Sequence, residues 1–216
     1  MRRKTVKDYI NDLFKERLSE EDLKALLKVK DLYKKWRSTL SFHDFIKFLN
    51  MLDLNREFIR NRIGGFPQSY GRLRAIAFEE YIYYYLRKLT SESRNLRILW
   101  DEKIPIKAPI NYTLRPDFTI LRDKEPIFFI EAKIEIDSQR IKSTLLDFIL
   151  LKMNYPKALN VLIYYLLDGD EKLIELVSRI SLNFILDASS DYKSKFGSFE
   201  EWFLNIIRRQ LQEGQR

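Results

Sequence analysis

Three residues in the middle of this chain are of types that do chemistry together. Asp117 opens the apolar run Phe118-Thr119-Ile120, and Glu131 and Lys133 close a second run, Phe128-Phe129-Ile130. Strand side chains alternate between faces, so Glu131 and Lys133 project to one side while Ala132 between them turns away. A polar turn, Arg122-Asp123-Lys124-Glu125-Pro126, separates the runs and makes them neighbouring strands, which carries Asp117 to the same place. Two carboxylates and an ammonium are costly to bury in an apolar sheet unless a divalent cation or a substrate compensates the acids. Hard divalent cations prefer carboxylate oxygens, so Asp117 and Glu131 are the candidate metal ligands.

Pro116-Asp117 followed by Glu131-Ala132-Lys133 resembles the signature of the PD-(D/E)XK nuclease superfamily, which includes type II restriction endonucleases and archaeal resolvase-like nucleases. An E-x-K alone carries little weight in a lysine-rich chain; the specific element is an E-x-K ending an apolar strand, paired with a P-D on the strand before it. The resemblance implies a Mg²⁺-dependent DNA endonuclease, with Mn²⁺ as substitute, whose third protein ligand is the carbonyl of the residue between Glu and Lys, here Ala132. Lys133 would orient or help deprotonate the attacking water and stabilise charge developing at phosphorus. A type II restriction-like enzyme is the leading version. The alternatives are a structure-selective nuclease of Holliday-junction, repair or viral type, and a catalytically silent DNA-binding module of the same fold. For Lys133 alone, the plain alternative is a counter-ion to Glu131 or Asp117.

A further acid is expected from the helix ahead of the sheet, where Glu79 and Glu80 are adjacent. Glu79 aligns with Ile76, Tyr83 and Leu86 on an apolar face, whereas Glu80 aligns with Tyr84 and Arg87 on a more polar one. Glu79 is therefore the expected metal-supporting or water-positioning residue. The run Gly71 to Phe78-Glu79 also resembles the first-helix motif of archaeal resolvases. Arg115 shares a face with Asp117 and could pair with it or touch phosphate. Glu135 continues the strand face of Glu131 and Lys133, and Asp137 reads as a helix cap.

The charge of +8 is unevenly placed: the entire excess lies within residues 1–74, and the remainder is balanced. Its densest part is Arg56, Arg60, Arg62, Arg72 and Arg74, opposed locally by Glu57. Arginine forks match phosphate geometry and a basic surface gains from counterion release, so these five are the candidate DNA contacts; a solvated helix surface is the alternative. The absence of cysteine excludes disulfide and thiolate-zinc chemistry, and one histidine, His43, excludes a polyhistidine metal site. With no apolar leader or membrane-length run in this sequence, the chain reads as soluble and cytoplasmic. High Lys, Arg, Glu and Ile usage hints at a thermophile.

The elements that must position this chemistry are helices through residue 63, a Gly-rich loop over 64–71, and then a helix (72–90), three strands (96–102, 112–122, 127–135), a helix (138–154), a strand (158–167), a helix (170–180), a strand (182–187) and a terminal helix (198–213) capped by Ser198 and Glu201. Ser19 with Asp22 and Ser41 with Asp44 read as helix N-caps. The expected fold class is α/β: a restriction-endonuclease-like core, a central mixed sheet flanked by helices, over residues 72–216, with an all-helical basic subdomain and loop over 1–71. One chain carries one Asp117, Glu131 and Lys133 set, so cutting both strands of DNA calls for a homodimer.

Overall fold

The computed structural model describes residues 4–15, 18–64, 66–91, 93, 95–107, 109, 111–185 and 205. The expected terminal helix, with its Ser198 and Glu201 cap, lies outside this set. The chain divides into two compact units, Met1–Tyr85 and Leu86–Arg216.

The first unit is helical: α1 (Val6–Leu13), α2 (Glu20–Thr39), α3 (Phe42–Leu54), α4 (Arg56–Arg62) and most of α5 (Pro67–Thr90). Ser19 and Ser41 accept from the amides of Asp22 and Asp44 as expected, and Thr5 with Asp8 closes a full capping box on α1. Trp36 is fully buried and meets Tyr33 and Phe45 edge-on, with Phe42, Phe48, Phe78 and Tyr81 packed in the same aromatic core. These side chains each remove about 150–250 Å² from water and supply most of the drive for packing the helices. Because Tyr70, Leu73, Ala77, Phe78 and Tyr81 are all buried, the unit extends to Tyr85 and does not stop at the loop. That loop is also shorter than expected. α5 starts at Pro67, whose fixed φ and missing amide hydrogen suit a first helical turn, and Gly71 sits inside the helix.

The second unit is built on a five-stranded mixed sheet of order β1-β4-β5-β6-β7. β1 (Leu96–Trp100), β4 (Phe118–Arg122) and β5 (Glu125–Asp137) run antiparallel; β6 (Leu159–Asp168) and β7 (Leu182–Ile185) then add in parallel. α6 (Ser138–Asn154) and α7 (Glu171–Ser178) make the two crossovers. This succession is the one the resemblance implied. Asp123 and Lys124 both adopt positive φ, giving the tight turn between β4 and β5 the twist that matches its strands. The expected single strand over 112–122 is two elements. β3 (Tyr112–Leu114) turns away to pair with a short strand that sequence reading missed, β2 (Ile104–Ile106), and the chain resumes in the main sheet at Phe118. Pro116 lies in the break, since it has no amide hydrogen for a ladder.

Both faces of the sheet are buried. Phe129, Leu162 and Tyr164 pack with Ile141, Phe148 and Leu151 of α6, while Phe118, Ile120, Phe128, Ile130, Val161 and Ile163 on the alternate positions are fully buried as well. This is why the central strands read as continuous apolar runs. Among the described residues, no helix is long and apolar enough to cross a membrane.

Candidate active site at the β4–β5 junction

Asp117 stands immediately before β4, beside the middle of β5, because the hairpin register pairs Phe118 with Ile130. Its backbone carbonyl accepts from the amide of Asp101, which anchors the turn into the strand. One carboxylate oxygen, Oδ2, accepts from the Ala132 amide at 2.8 Å and from Lys133 Nζ at 2.7 Å. The same Nζ lies 2.5 Å from Glu131 Oε2. The three side chains are thus gathered around one ammonium, with 16%, 8% and 26% of the surfaces of Asp117, Glu131 and Lys133 exposed. Glu131 and Lys133 lie on the α6 side of the sheet, two and four residues beyond Phe129.

With both carboxylates ionised, the two acids and one ammonium would carry a net charge of −1 in a desolvated place, and the titration of Glu131 and Lys133 reflects that cost. Burial, and then the charge of Asp117, push the Glu131 carboxyl up to about 8, against the opposing pull of Lys133. Burial acts to lower the Lys133 pKa, but Glu131 and Asp117 outweigh it and hold the ammonium well above the usual lysine range. Among the described residues no three His, Cys, Asp or Glu side chains gather into a metal site, so a divalent cation here would rest on the two carboxylates, Asp117 and Glu131. Its ligands would be carboxylate oxygens, which Mg²⁺ takes one or two at a time together with waters and phosphate, and its charge would relieve the cost of the buried pair.

Sequence reading missed one acid of this unit. Asp147 is the sole carboxylate of α6, flanked by Leu146 and Phe148. It lies one turn from the buried Thr144 and Leu151, so it borders the face that packs on the sheet. Burial raises its pKa, and the charge of Lys133 works against that rise, which places the acid within the field of the site ammonium. The available signal was its isolation: a single acid on an apolar helix directly after the E-x-K strand.

The other expected residues are placed as follows. Arg115 is 3.7 Å from Asp101 across an exposed pair. Asp137 caps α6 by accepting from the Arg140 amide, and the carbonyl of Glu135 accepts from Arg140 Nη1. Glu79 belongs to the first unit and is 8% exposed. The expectation that Glu80 takes the polar side of that helix is overturned: it is 1% exposed, and its carboxylate accepts from Tyr33 Oη at 2.7 Å, the Val6 amide at 3.0 Å and Arg37 Nη1 at 3.0 Å. Packing of α1 and α2 covers this face of α5, which helical periodicity in α5 alone does not reveal. Of the five arginines, Arg60 pairs with Glu57 and Arg74 with Asp53, while Arg56 and Arg62 lie over the rings of Tyr70 and Phe58.

No family model matches the chain, and no curated protein does. It is similar to solved structures. One is the native BbvCI A2B2 tetramer, at TM-score 0.44 and 14% identity, covering 88% of this chain and 87% of that one. Another is the restriction endonuclease PspGI in its substrate DNA complex, at TM-score 0.42 and 14% identity, covering 91% of this chain and 76% of that one.

Proposed function

We propose that this protein is a Mg²⁺-dependent DNA endonuclease of the PD-(D/E)XK type, most closely a type II restriction-like enzyme. One observation supports the reading above the rest: Lys133 Nζ is shared between Asp117 and Glu131 at the junction of the antiparallel and parallel halves of the sheet. A structural ion pair would need one acid. A buried second acid that stays undercompensated is a cost, and a phosphoryl-transfer site gives it a use.

In this reading Asp117, Glu131 and the Ala132 carbonyl hold the ion, and Mn²⁺ serves in its place. When bound, the cation supplies an acidified water and neutralises charge on the phosphate. The remaining work falls to the protein. The Ala132 amide fixes the Asp117 carboxylate so that its second oxygen keeps a set direction. Lys133, anchored on a central strand, presents its ammonium to the water and to the oxygens of the transition state, where a preorganised charge costs no reorganisation. Arg56, Arg60, Arg62, Arg72 and Arg74 are the proposed phosphate contacts, and a homodimer provides one hydrolytic cluster for each strand.

The test is incubation of purified protein with supercoiled, linear and branched DNA, with Mg²⁺ and with chelator. Cleavage that needs Mg²⁺ or Mn²⁺ and is inhibited by Ca²⁺ is expected, and fragments of fixed size would mark a sequence-specific enzyme. Cleavage confined to the branched substrate would move the assignment to a structure-selective nuclease. Activity that persists in chelator would overturn the site.

A further inference from the structure

In the helical unit, α1 and α2 enclose an open cavity of about 490 Å³. Lys7 and Asn11 project from one wall, and Lys30, Lys34, Arg37 and Ser38 from the other; Ile10 and Tyr33 form its apolar part. The α2 residues recur at helical spacing and so form one continuous face. Among the described residues, Lys7 and Lys30 have no acidic partner, and Lys34 meets only the exposed Asp31, at 3.7 Å. Arg37 is held differently. Its Nη1 donates to Tyr33 Oη and to the buried Glu80, its Cζ lies 3.7 Å from the ring centroid of Tyr84, and its buried Nε has no acceptor among the described residues. Three ammonium groups, of which that of Lys30 also lies 5.4 Å from the ring centroid of Phe14, therefore share the cavity with one guanidinium that is held by several partners.

A volume of this size suits an organic ligand better than a single ion. The cations from Lys30 to Arg37 extend for roughly 10 Å along the helix axis, close to the rise of three nucleotides along one strand. We propose that the α1–α2 cavity is a phosphodiester-binding site that grips one strand of nucleic acid, with Arg37 as its fixed point and Lys7, Lys30 and Lys34 as its adjustable contacts. This site is separate from the Arg56–Arg74 cluster. It deepens the nucleic-acid reading but does not depend on hydrolysis.

The experiment measures binding of the full chain in chelator, where the β4–β5 site is silent. Anisotropy of a labelled single-stranded 12-mer is titrated with salt for the wild type, for Lys30→Gln with Lys34→Gln, and for a control pair, Lys24→Gln with Lys28→Gln. The control pair loses the same charge from a face of α2 about 120° round from the pocket, outside its lining. The pocket pair is expected to weaken binding about tenfold and to lower the log–log salt slope by about 1.4, while the control pair stays within about twofold. Lys7→Gln on the facing helix should reproduce roughly half of the slope change. Thymidine 5′-monophosphate is the second probe: displacement of the 12-mer by it means that the pocket takes one nucleotide, and failure to displace means that it needs the strand. Equal effects of the two lysine pairs overturn the site. So does monophosphate binding that the pocket pair abolishes while strand affinity stays unchanged. Pocket-dependent binding without Mg²⁺-dependent cleavage would leave this inference standing and remove the nuclease reading, and the converse result would do the reverse.

Discussion

The ammonium of Lys133 is 2.7 Å from the Asp117 carboxylate and 2.5 Å from that of Glu131, so two acids that arrive on different strands share a single counter-charge.

Asp117→Ala, Glu131→Ala and Lys133→Ala should each reduce cleavage by about 10²-fold or more, the scale of losing one preorganised electrostatic contact worth roughly 3 kcal/mol of the barrier. Circular dichroism and DNA affinity should stay near wild type. Cleavage at the wild-type rate by any one of the three, under single-turnover conditions, removes that residue from the mechanism.

Without divalent cations, stability should fall as pH rises from about 5 to 8. The Glu131 carboxyl ordinarily titrates near 4.5 and is pushed up to about 8 in the folded chain, so between those values the folded state keeps a proton that the unfolded state has released. Its contribution is complete below 4.5 and is lost through 8. Each unit of this window is worth at most about 1.4 kcal/mol. Glu131→Gln should flatten the dependence and melt above wild type at pH 9. A wild-type melting temperature that rises over the window would contradict the burial argument.

Asp147→Asn should slow cleavage by about 3- to 30-fold, less than loss of Glu131, and leave DNA affinity unchanged. The motive is its place on the sheet-facing border of α6, within the field of Lys133. A structural role alone would lower the melting temperature without altering the pH–rate profile, so the profile is the deciding measurement. No change in the profile assigns Asp147 to packing.

Glu80→Ala should destabilise the helical unit by about 3–5 kcal/mol, since it strands Arg37 and leaves Tyr33 Oη and the Val6 amide without their acceptor. Chemical denaturation reads this directly. A loss below about 1 kcal/mol would mean that water replaces the carboxylate.

Much of the second unit was legible in the chain. β5 is 13 residues long and apolar through its middle, α6 begins behind the Asp137 cap, and β6 carries an unbroken apolar run from Val161 to Leu167; each is a local pattern of period, cap or hydrophobicity. Asp117, Glu131 and Lys133 were legible for a related reason. A short hairpin ties the positions of two strands to their sequence, so charged residues in apolar strands reveal their own convergence. The pairing of β3 with β2 was not legible, because three-residue strands carry little periodicity and a proline break can end a strand or merely bend it.

Glu80 and Asp147 show the remaining limit. Which side of a helix is buried depends on what packs there, and the sequence of α5 contains nothing of the α1 amide or the Tyr33 hydroxyl that its glutamate meets 74 and 47 residues away. The α1–α2 cavity is of the same kind. Its lysines look like ordinary solvated charges along either helix, and they become a site only when tertiary packing sets two basic faces opposite one another, because cations separated in sequence gather at one place only after the chain has folded.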